Sequence, residues 1–195
     1  NNTGAGGEGG YVTLSAAGPL TLHDSIVSTD TYGDAQGGQV SVESGDSLTI
    51  TSSLVTADTV GGAGNGGFVY VRSVGPLSID QTQIFADTSG AGRAGDVLVY
   101  SNGNVALSNG LVSSRSYANA GSGPYGNSGV VTVQGIGDVT LRNAVVSTDT
   151  FGSGSGGFVN LFVGGTLTVT DLSQIYANTE GAGVGGIVSV IADTF

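Results

Sequence analysis

Valine, leucine and isoleucine recur along this chain in pairs separated by a single residue, and short polar, glycine-rich runs separate the pairs. Val69 and Val71 form one such pair, directly after Gly66 and Gly67. Because successive side chains of a strand point to opposite faces, both members of a pair lie on the same face. The pattern therefore predicts many short strands, each with one buried face.

The glycine-led strand is a repeat that runs from one end of the chain to the other. Its second glycine stands at positions 10, 38, 67, 95, 129, 157 and 186, so the steps are 28, 29, 28, 34, 28 and 29 residues. A fixed period of this length is the signature of a solenoid. We therefore expect residues 1–195 to form a single β-helix segment that is part of a longer chain or filament.

Each repeat contains two further strands after the glycine-led one. Leu48 and Ile50 belong to a second strand, which begins ten residues after the second glycine, and Val55 and Ala57 belong to a third. Three strands, three bends and 28–29 residues per coil predict an all-β, right-handed parallel β-helix of six complete coils and the start of a seventh. A β-propeller blade would need a fourth strand and a longer repeat.

The step of 34 residues predicts a longer return loop near residues 117–127. This stretch contains Tyr117 and Tyr125. Insertions in solenoids are frequent on a binding face, and they are also tolerated in surface loops that have no function. Both interpretations stay open.

Outward positions of the first strand are more apolar than a solvated face requires. A run of exposed apolar side chains over several coils indicates a surface that another molecule covers. We expect either an assembly face or a recognition face on which aromatic rings stack on sugars. The residues of this predicted surface are Tyr11, Phe68, Tyr70, Leu98, Tyr100, Phe158, Phe162 and Ile187.

One acidic or amide residue per coil follows the third strand, except that Arg115 takes this place in the fourth coil. The residues are Asp30, Asp58, Asp87, Asp149 and Asn178. They fit a solvated turn in which aspartate caps its own backbone. A ladder of bridging cations is the less favoured alternative, and calcium is its candidate because it prefers hard oxygen ligands.

Charge and composition exclude several classes of function. Asp and Glu outnumber Lys and Arg by 15 to 4, which gives a net charge of -11 and disfavours binding to nucleic acid or to anionic membranes. The chain has no cysteine and only one histidine, His23, so disulfides, thiolate sites and multi-histidine metal centres are excluded. No apolar run approaches the length of a transmembrane helix.

Catalytic signals are weak. The best cluster of acidic and basic side chains is Asp87, Arg115 and Asp149, and charge balance explains it more simply than acid–base chemistry. His23 lies beside Asp24 with no nucleophile indicated. We therefore expect no enzymatic activity, and a polysaccharide-degrading β-helix enzyme is the less favoured alternative.

The coil pattern resembles the repeat region of filamentous-haemagglutinin-like exoproteins, which belong to two-partner secretion systems of cyanobacteria and proteobacteria. The likeness is carried by Gly-Gly-x-Val-x-Val, by Leu48-Thr49-Ile50, and by Val-Ser-Thr-Asp-Thr at 27–31 and 146–150. It implies a secreted β-helical rod at the cell surface or outside the cell, used in adhesion, matrix building or filament formation. It assigns no site residue.

Pattern and resemblance together predict a structural or adhesive rod or fibre subunit. Such a subunit acts by rigid display and by self-association, end to end or laterally. The alternative is a carbohydrate-binding adhesin module, for which the partners are surface glycans.

Overall fold

The computed structural model describes residues 7–117 and 126–195, and within these ranges every regular element is a strand. Strands of neighbouring coils pair in parallel, and together they form a β-solenoid of about six turns. The predicted parallel β-helix is thus confirmed. Most of the longer return loop predicted near 117–127 lies outside the described residues. The described residues contain no helix that is long and apolar enough to span a membrane.

Three ladders correspond to the three predicted strands of each coil. The strands of the first ladder are Tyr11–Ala16, Gln39–Ser44, Phe68–Ser73, Asp96–Ser101, Val130–Gly135, Phe158–Thr170 and Ile187–Thr194. Those of the second are Leu20–His23, Leu48–Thr51, Leu77–Asp80, Val105–Ser108, Val139–Arg142 and the second half of Phe158–Thr170. Those of the third are Ile26–Ser28, Leu54–Thr56, Gln83–Phe85, Leu111–Ser113, Val145–Ser147 and Gln174–Tyr176.

A fourth, shorter ladder follows the third and was not predicted. It begins with the paired strands Thr31–Tyr32 and Thr59–Val60. Single bridges continue it through the equivalent residues of later coils, which are Thr88, Ser116, Thr150 and Thr179. Each coil is therefore joined to the next along four lines of backbone hydrogen bonds.

The core consists of columns in which each inward residue stacks on its equivalents in neighbouring coils. Val40, Val69 and Val97 follow one another in register, and each is at most 1% exposed. The leucine and isoleucine pairs of the second ladder are buried in the same way in the middle coils. Period-two patterning thus located the core correctly.

The small inward residue at the end of the third strand has a steric reason. Gly67, which opens the first strand of the next coil, donates its N–H to the carbonyl oxygen of Ala57 at 2.9 Å. A Cβ atom added to Gly67 would lie 2.8 Å from the Cβ of Ala57. A larger residue at either position would therefore force the two backbones apart.

The corner between the second and third ladders uses a left-handed residue in every coil. Asn109 and Asn143 have φ angles of 49° and 47°, a conformation that asparagine tolerates better than most residues. The side chain of Asn143 donates to Oδ1 of Asn109 at 2.9 Å, and that of Asn109 donates to Oδ1 of Asp80 at 2.9 Å. Side-chain hydrogen bonds therefore reinforce this corner between coils.

Candidate functional site

The predicted apolar surface lies where expected, on the outward side of the first ladder. In the strands that begin at Phe68, Asp96 and Phe158, its members alternate with buried valines and leucines. Parallel register places Phe158 beside Ile187, whereas it places Phe68 between Gln39 and Asp96. Polar residues therefore divide the surface into two patches rather than one stripe.

The central patch consists of Phe68, Tyr70, Leu98 and Tyr100. Tyr70 pairs across the ladder with Leu98, and its ring lies 6.2 Å from that of Phe68 at an interplanar angle of 17°. All four side chains are half-buried by their neighbours, and burial raises the pKa of Tyr70. The four side chains pack against one another, so the patch leaves little apolar surface free.

The C-terminal patch consists of Phe158, Phe162, Ile187 and Ile191. Phe158 is 46% exposed and Ile187 is 54% exposed. Tyr11, the remaining residue of the predicted surface, is 73% exposed and lies in the first coil, away from both patches. The C-terminal patch therefore offers more free apolar surface than the central one.

A groove of about 400 Å³ borders the C-terminal patch. Val130, Phe158 and Ile187 form its apolar side, and Arg93 and Asn127 lie on its polar side. The guanidinium of Arg93 donates to both oxygens of Asp96, at 2.6 Å and 3.4 Å, and is thereby held in place. An aromatic ring next to fixed polar groups is the combination that recognises a sugar ring and its hydroxyls.

The acidic column after the third ladder links neighbouring coils through the backbone. Oδ1 of Asp30 accepts the N–H of Asp58 at 3.0 Å, and Oδ1 of Asp58 accepts the N–H of Asp87 at 2.7 Å. Oδ1 of Asp87 in turn accepts the N–H of Arg115 at 2.8 Å. Each of these carboxylates thus caps the next coil, whereas the sequence predicted caps within a single turn.

Asp58 differs from its neighbours because it lacks a hydroxyl donor. Thr56 donates its hydroxyl to Asp30 at 2.6 Å, and Ser113 donates to Asp87 at 3.3 Å. The equivalent residue for Asp58 is Phe85, which pairs with Thr56 in the third ladder. Burial, together with the nearby charge of Asp87, raises the pKa of Asp58 to about 8, and burial raises that of Asp87 to about 6.

Arg115 supplies a positive charge to the acidic column between Asp87 and Asp149. Its Nε lies 3.8 Å from Oδ2 of Asp149, which is only 4% exposed, and its Nη1 donates to the hydroxyl of Tyr117 at 3.1 Å. Burial raises the pKa of Asp149, and the charge of Arg115 opposes that rise. The predicted cluster of Asp87, Arg115 and Asp149 is therefore brought together with Arg115 in the middle.

The predicted calcium ladder finds no grouped ligands in the ranges that the structure covers. Asp30, Asp58, Asp87, Asp149 and Asn178 are spread one per coil, and no three Asp, Glu, His or Cys side chains there are grouped to hold a metal ion. Backbone N–H groups already occupy one oxygen of each of the first three carboxylates. Calcium binding stays a prediction.

A second outward column, on the fourth ladder, was missed from the sequence. Tyr32, Val60, Tyr117 and Phe151 are each between about a third and a half exposed at equivalent positions. The rings of Tyr117 and Phe151 stack 4.9 Å apart at 5°. The signal was present in Asp30-Thr31-Tyr32 and Asp149-Thr150-Phe151, where an aromatic residue stands two positions after the acidic one.

Comparisons of the chain with protein-family models, with curated proteins and with solved structures gave no match. The likeness to filamentous-haemagglutinin-like exoproteins therefore stays a prediction. Among the described residues, the candidate groups for function are the two apolar patches, the groove beside Phe158 and the acidic column after the third ladder.

Proposed function

We propose that the chain is a rigid segment of an extracellular rod or fibre, which displays its outward faces and associates with copies of itself. The observation that carries this proposal is the unbroken parallel pairing of equivalent strands through all coils. Within the described residues, a stack joined along four ladders around a closely packed apolar core resists bending. Rigidity of this kind suits a structural role at or beyond the cell surface.

Self-association would use the C-terminal patch. On adjacent coils of one ladder, Phe158 lies beside Ile187 and Phe162 beside Ile191, so two apolar pairs flank the polar pair of Asn160 and Ser189. Phe158, Ile187 and Ile191 are each about half exposed. Exposed apolar side chains grouped around a few polar ones are usual in a protein interface. Lateral contact between two rods through this face would cover it, and end-to-end contact would align the rods.

Analytical ultracentrifugation over a wide range of protein concentration, with electron microscopy of the same samples, tests this proposal. We expect oligomers or filaments for the unaltered chain and a shift to monomer for Phe158→Ser combined with Ile187→Ser. Thr140→Ser, on the outward side of the second ladder, is the matched control and should associate normally. A chain that stays monomeric at every concentration contradicts self-association.

A carbohydrate-binding module is the second candidate, and the groove beside Phe158 favours it. Phe158 would stack on a sugar ring while Arg93 and Asn127 contact its hydroxyl groups. On a glycan array, Phe158→Ala should abolish specific binding, and Phe68→Ala should retain it because Phe68 lies outside this groove. Absence of glycan binding by the unaltered chain removes this candidate.

We propose no enzymatic activity. Arg115 is engaged with Asp149 and Tyr117, and burial disfavours the charged form of Asp87, so the cluster serves charge balance. Cleavage of a polysaccharide that is lost in Arg115→Ala would contradict this view.

A further inference from the structure

A small hollow of about 160 Å³ opens on the fourth ladder, between the second and fourth coils. It exists because Ser89 is short, whereas the equivalent residues on either side are Val60 and Tyr117. Val60 and Tyr117 are its walls, and Asp58 and Asp87 also line it. The hollow therefore combines apolar walls with two carboxyl groups.

Each of these two carboxyl groups keeps one oxygen free for a ligand. Oδ1 of Asp58 accepts the N–H of Asp87, and Oδ1 of Asp87 accepts the N–H of Arg115 and the hydroxyl of Ser113. No hydrogen bond among residues 7–117 and 126–195 uses Oδ2 of either residue. Two acceptor oxygens are thus available beside the hollow.

Among the described residues, no basic side chain forms an ion pair with Asp58. Besides His23, the chain has four basic side chains, all arginine, and each lies in an ion pair with a different carboxylate. The four pairs are Arg72 with Glu43, Arg93 with Asp96, Arg115 with Asp149 and Arg142 with Asp171. Burial, together with the nearby charges of Asp87 and Asp30, raises the pKa of Asp58.

Tyr117 provides a surface that suits a cation with an alkyl stem. One face of its ring stacks on Phe151 of the next coil, and the ring also borders the hollow on the side of the previous coil. Aromatic rings attract ammonium groups, and the methylene stem of lysine packs on apolar side chains while its head reaches a polar partner. Val60 would contact the stem from the opposite wall.

We propose that the hollow binds the side-chain ammonium of a lysine on a partner protein, with the ammonium between Oδ2 of Asp58 and Oδ2 of Asp87. The lysine comes from outside residues 1–195, because these residues contain none. Arginine fits less well, since its planar head carries five donors and the hollow offers two free carboxylate oxygens. The inference does not depend on self-association or on glycan binding.

An NMR titration with Nα-acetyl-lysine methylamide tests the proposal. The titration is run at about pH 9, above the pKa of Asp58 and below that of free lysine at about 10.4, so both partners are charged. We expect chemical-shift changes confined to the residues around the hollow, and none with the neutral Nα-acetyl-glutamine methylamide. A response of equal size to the glutamine compound overturns the proposal.

Three variants separate the hollow from general acidity. Asp58→Asn keeps the Oδ1 acceptor for the N–H of Asp87, so the fold is retained, and it should weaken binding about tenfold or more. Ser89→Tyr fills the hollow without changing any charge and should abolish binding. Asp193→Asn removes one charge from an exposed position far from the hollow and should leave binding unchanged.

Calcium ions distinguish an inorganic cation site from a lysine site. If calcium ions give the same shifts, and Ser89→Tyr still responds to them, the carboxylates form an inorganic cation site and the lysine assignment is wrong. Circular dichroism of each variant confirms folding, and should Ser89→Tyr fail to fold, Asp58→Asn decides alone.

Discussion

At the scale of single residues, the acidic column shows how the residue paired with each carboxyl group affects its protonation. Asp30 and Asp87 accept hydroxyl hydrogen bonds from Thr56 and Ser113, and these donors favour the charged carboxylate. Asp58 has Phe85 at the corresponding position and has no such donor. Burial and the charge of Asp87 raise the pKa of Asp58, and no hydroxyl group at position 85 opposes that rise.

Replacing Phe85 should restore the missing donor. In Phe85→Thr the new hydroxyl can donate to Asp58, so we expect the pKa of Asp58 to fall from about 8 towards its ordinary range. Phe85→Val is the control, because valine has nearly the same shape as threonine and no hydroxyl. NMR titration of the Asp58 carboxyl carbon measures both. Equal pKa values in the two variants would show that burial and the charge of Asp87 set the pKa and that the missing donor does not.

The same carboxyl group predicts how stability depends on pH. In the folded chain the pKa of Asp58 is raised to about 8 from 3.8, so the folded state binds its proton more tightly than the unfolded state does. The contribution of Asp58 to stability is therefore complete below about pH 4 and is lost as the pH rises towards 8. Asp87 acts in the same direction with a pKa of about 6.

We therefore expect the melting temperature to fall between about pH 5 and about pH 8. Asp58→Asn should remove much of this fall and should raise stability at pH 8 by on the order of 2 kcal/mol. Asp193→Asn, the exposed control, should follow the unaltered chain. Differential scanning calorimetry at several pH values gives the comparison, and a melting temperature that rises with pH would contradict the assignment.

At the scale of the element, close approach of successive coils limits the residues that can open the first ladder. A Cβ atom on Gly67 would lie 2.1 Å from the carbonyl oxygen of Gly38 and 2.8 Å from the Cβ of Ala57. Nothing lies within 4 Å of the corresponding point on Gly18, and the φ angle of Gly18 is not positive. Glycine is thus required for packing at one bend and not at the other.

Gly67→Ala should be strongly destabilising, and Gly18→Ala should be tolerated. For the first we expect a loss of about 3 kcal/mol or more in the free energy of unfolding, because backbone rather than a flexible side chain must move. For the second we expect a change within about 0.5 kcal/mol. Urea denaturation measures both, and equal losses would mean that the coils are not this closely packed.

The sequence pattern predicts three of the four ladders, but it does not predict which side chains of neighbouring coils come into contact. The spacing of two between Val69 and Val71 is enough to predict their strand and its buried face. The core columns, which repeat this pattern, were therefore predicted correctly. The fourth ladder continues through single bridges such as Thr88 with Ser116, which leave no alternating pattern to recognise. The two patches and the hollow at Ser89 depend on which residues of neighbouring coils share a column, and that requires the register.

At the scale of the whole molecule, electrostatic repulsion acts against association. The chain carries a net charge of -11, whereas in the proposed self-association apolar contact at the C-terminal patch would draw copies together. Salt screens the repulsion and leaves apolar burial largely intact. The balance between the two should therefore depend on ionic strength.

Self-association should increase as salt is added. Sedimentation velocity at low and at physiological ionic strength is the measurement, and Phe158→Ser with Ile187→Ser should abolish the increase. Association that weakens with salt would show that ion pairs rather than the apolar patch hold the copies together.

Because equivalent strands pair from coil to coil, the length of the solenoid can change only by whole coils. Removing residues 39–67 joins Gly38 to Phe68, which are already neighbours across the first ladder, so each strand keeps an equivalent partner. Such a deletion should give a folded chain that is shorter by one strand spacing, about 4.8 Å. Removing one residue fewer would turn inward side chains outward in the joined strand. Gain or loss of whole repeats in the gene can therefore change the length of the solenoid without any change to the packing of its core.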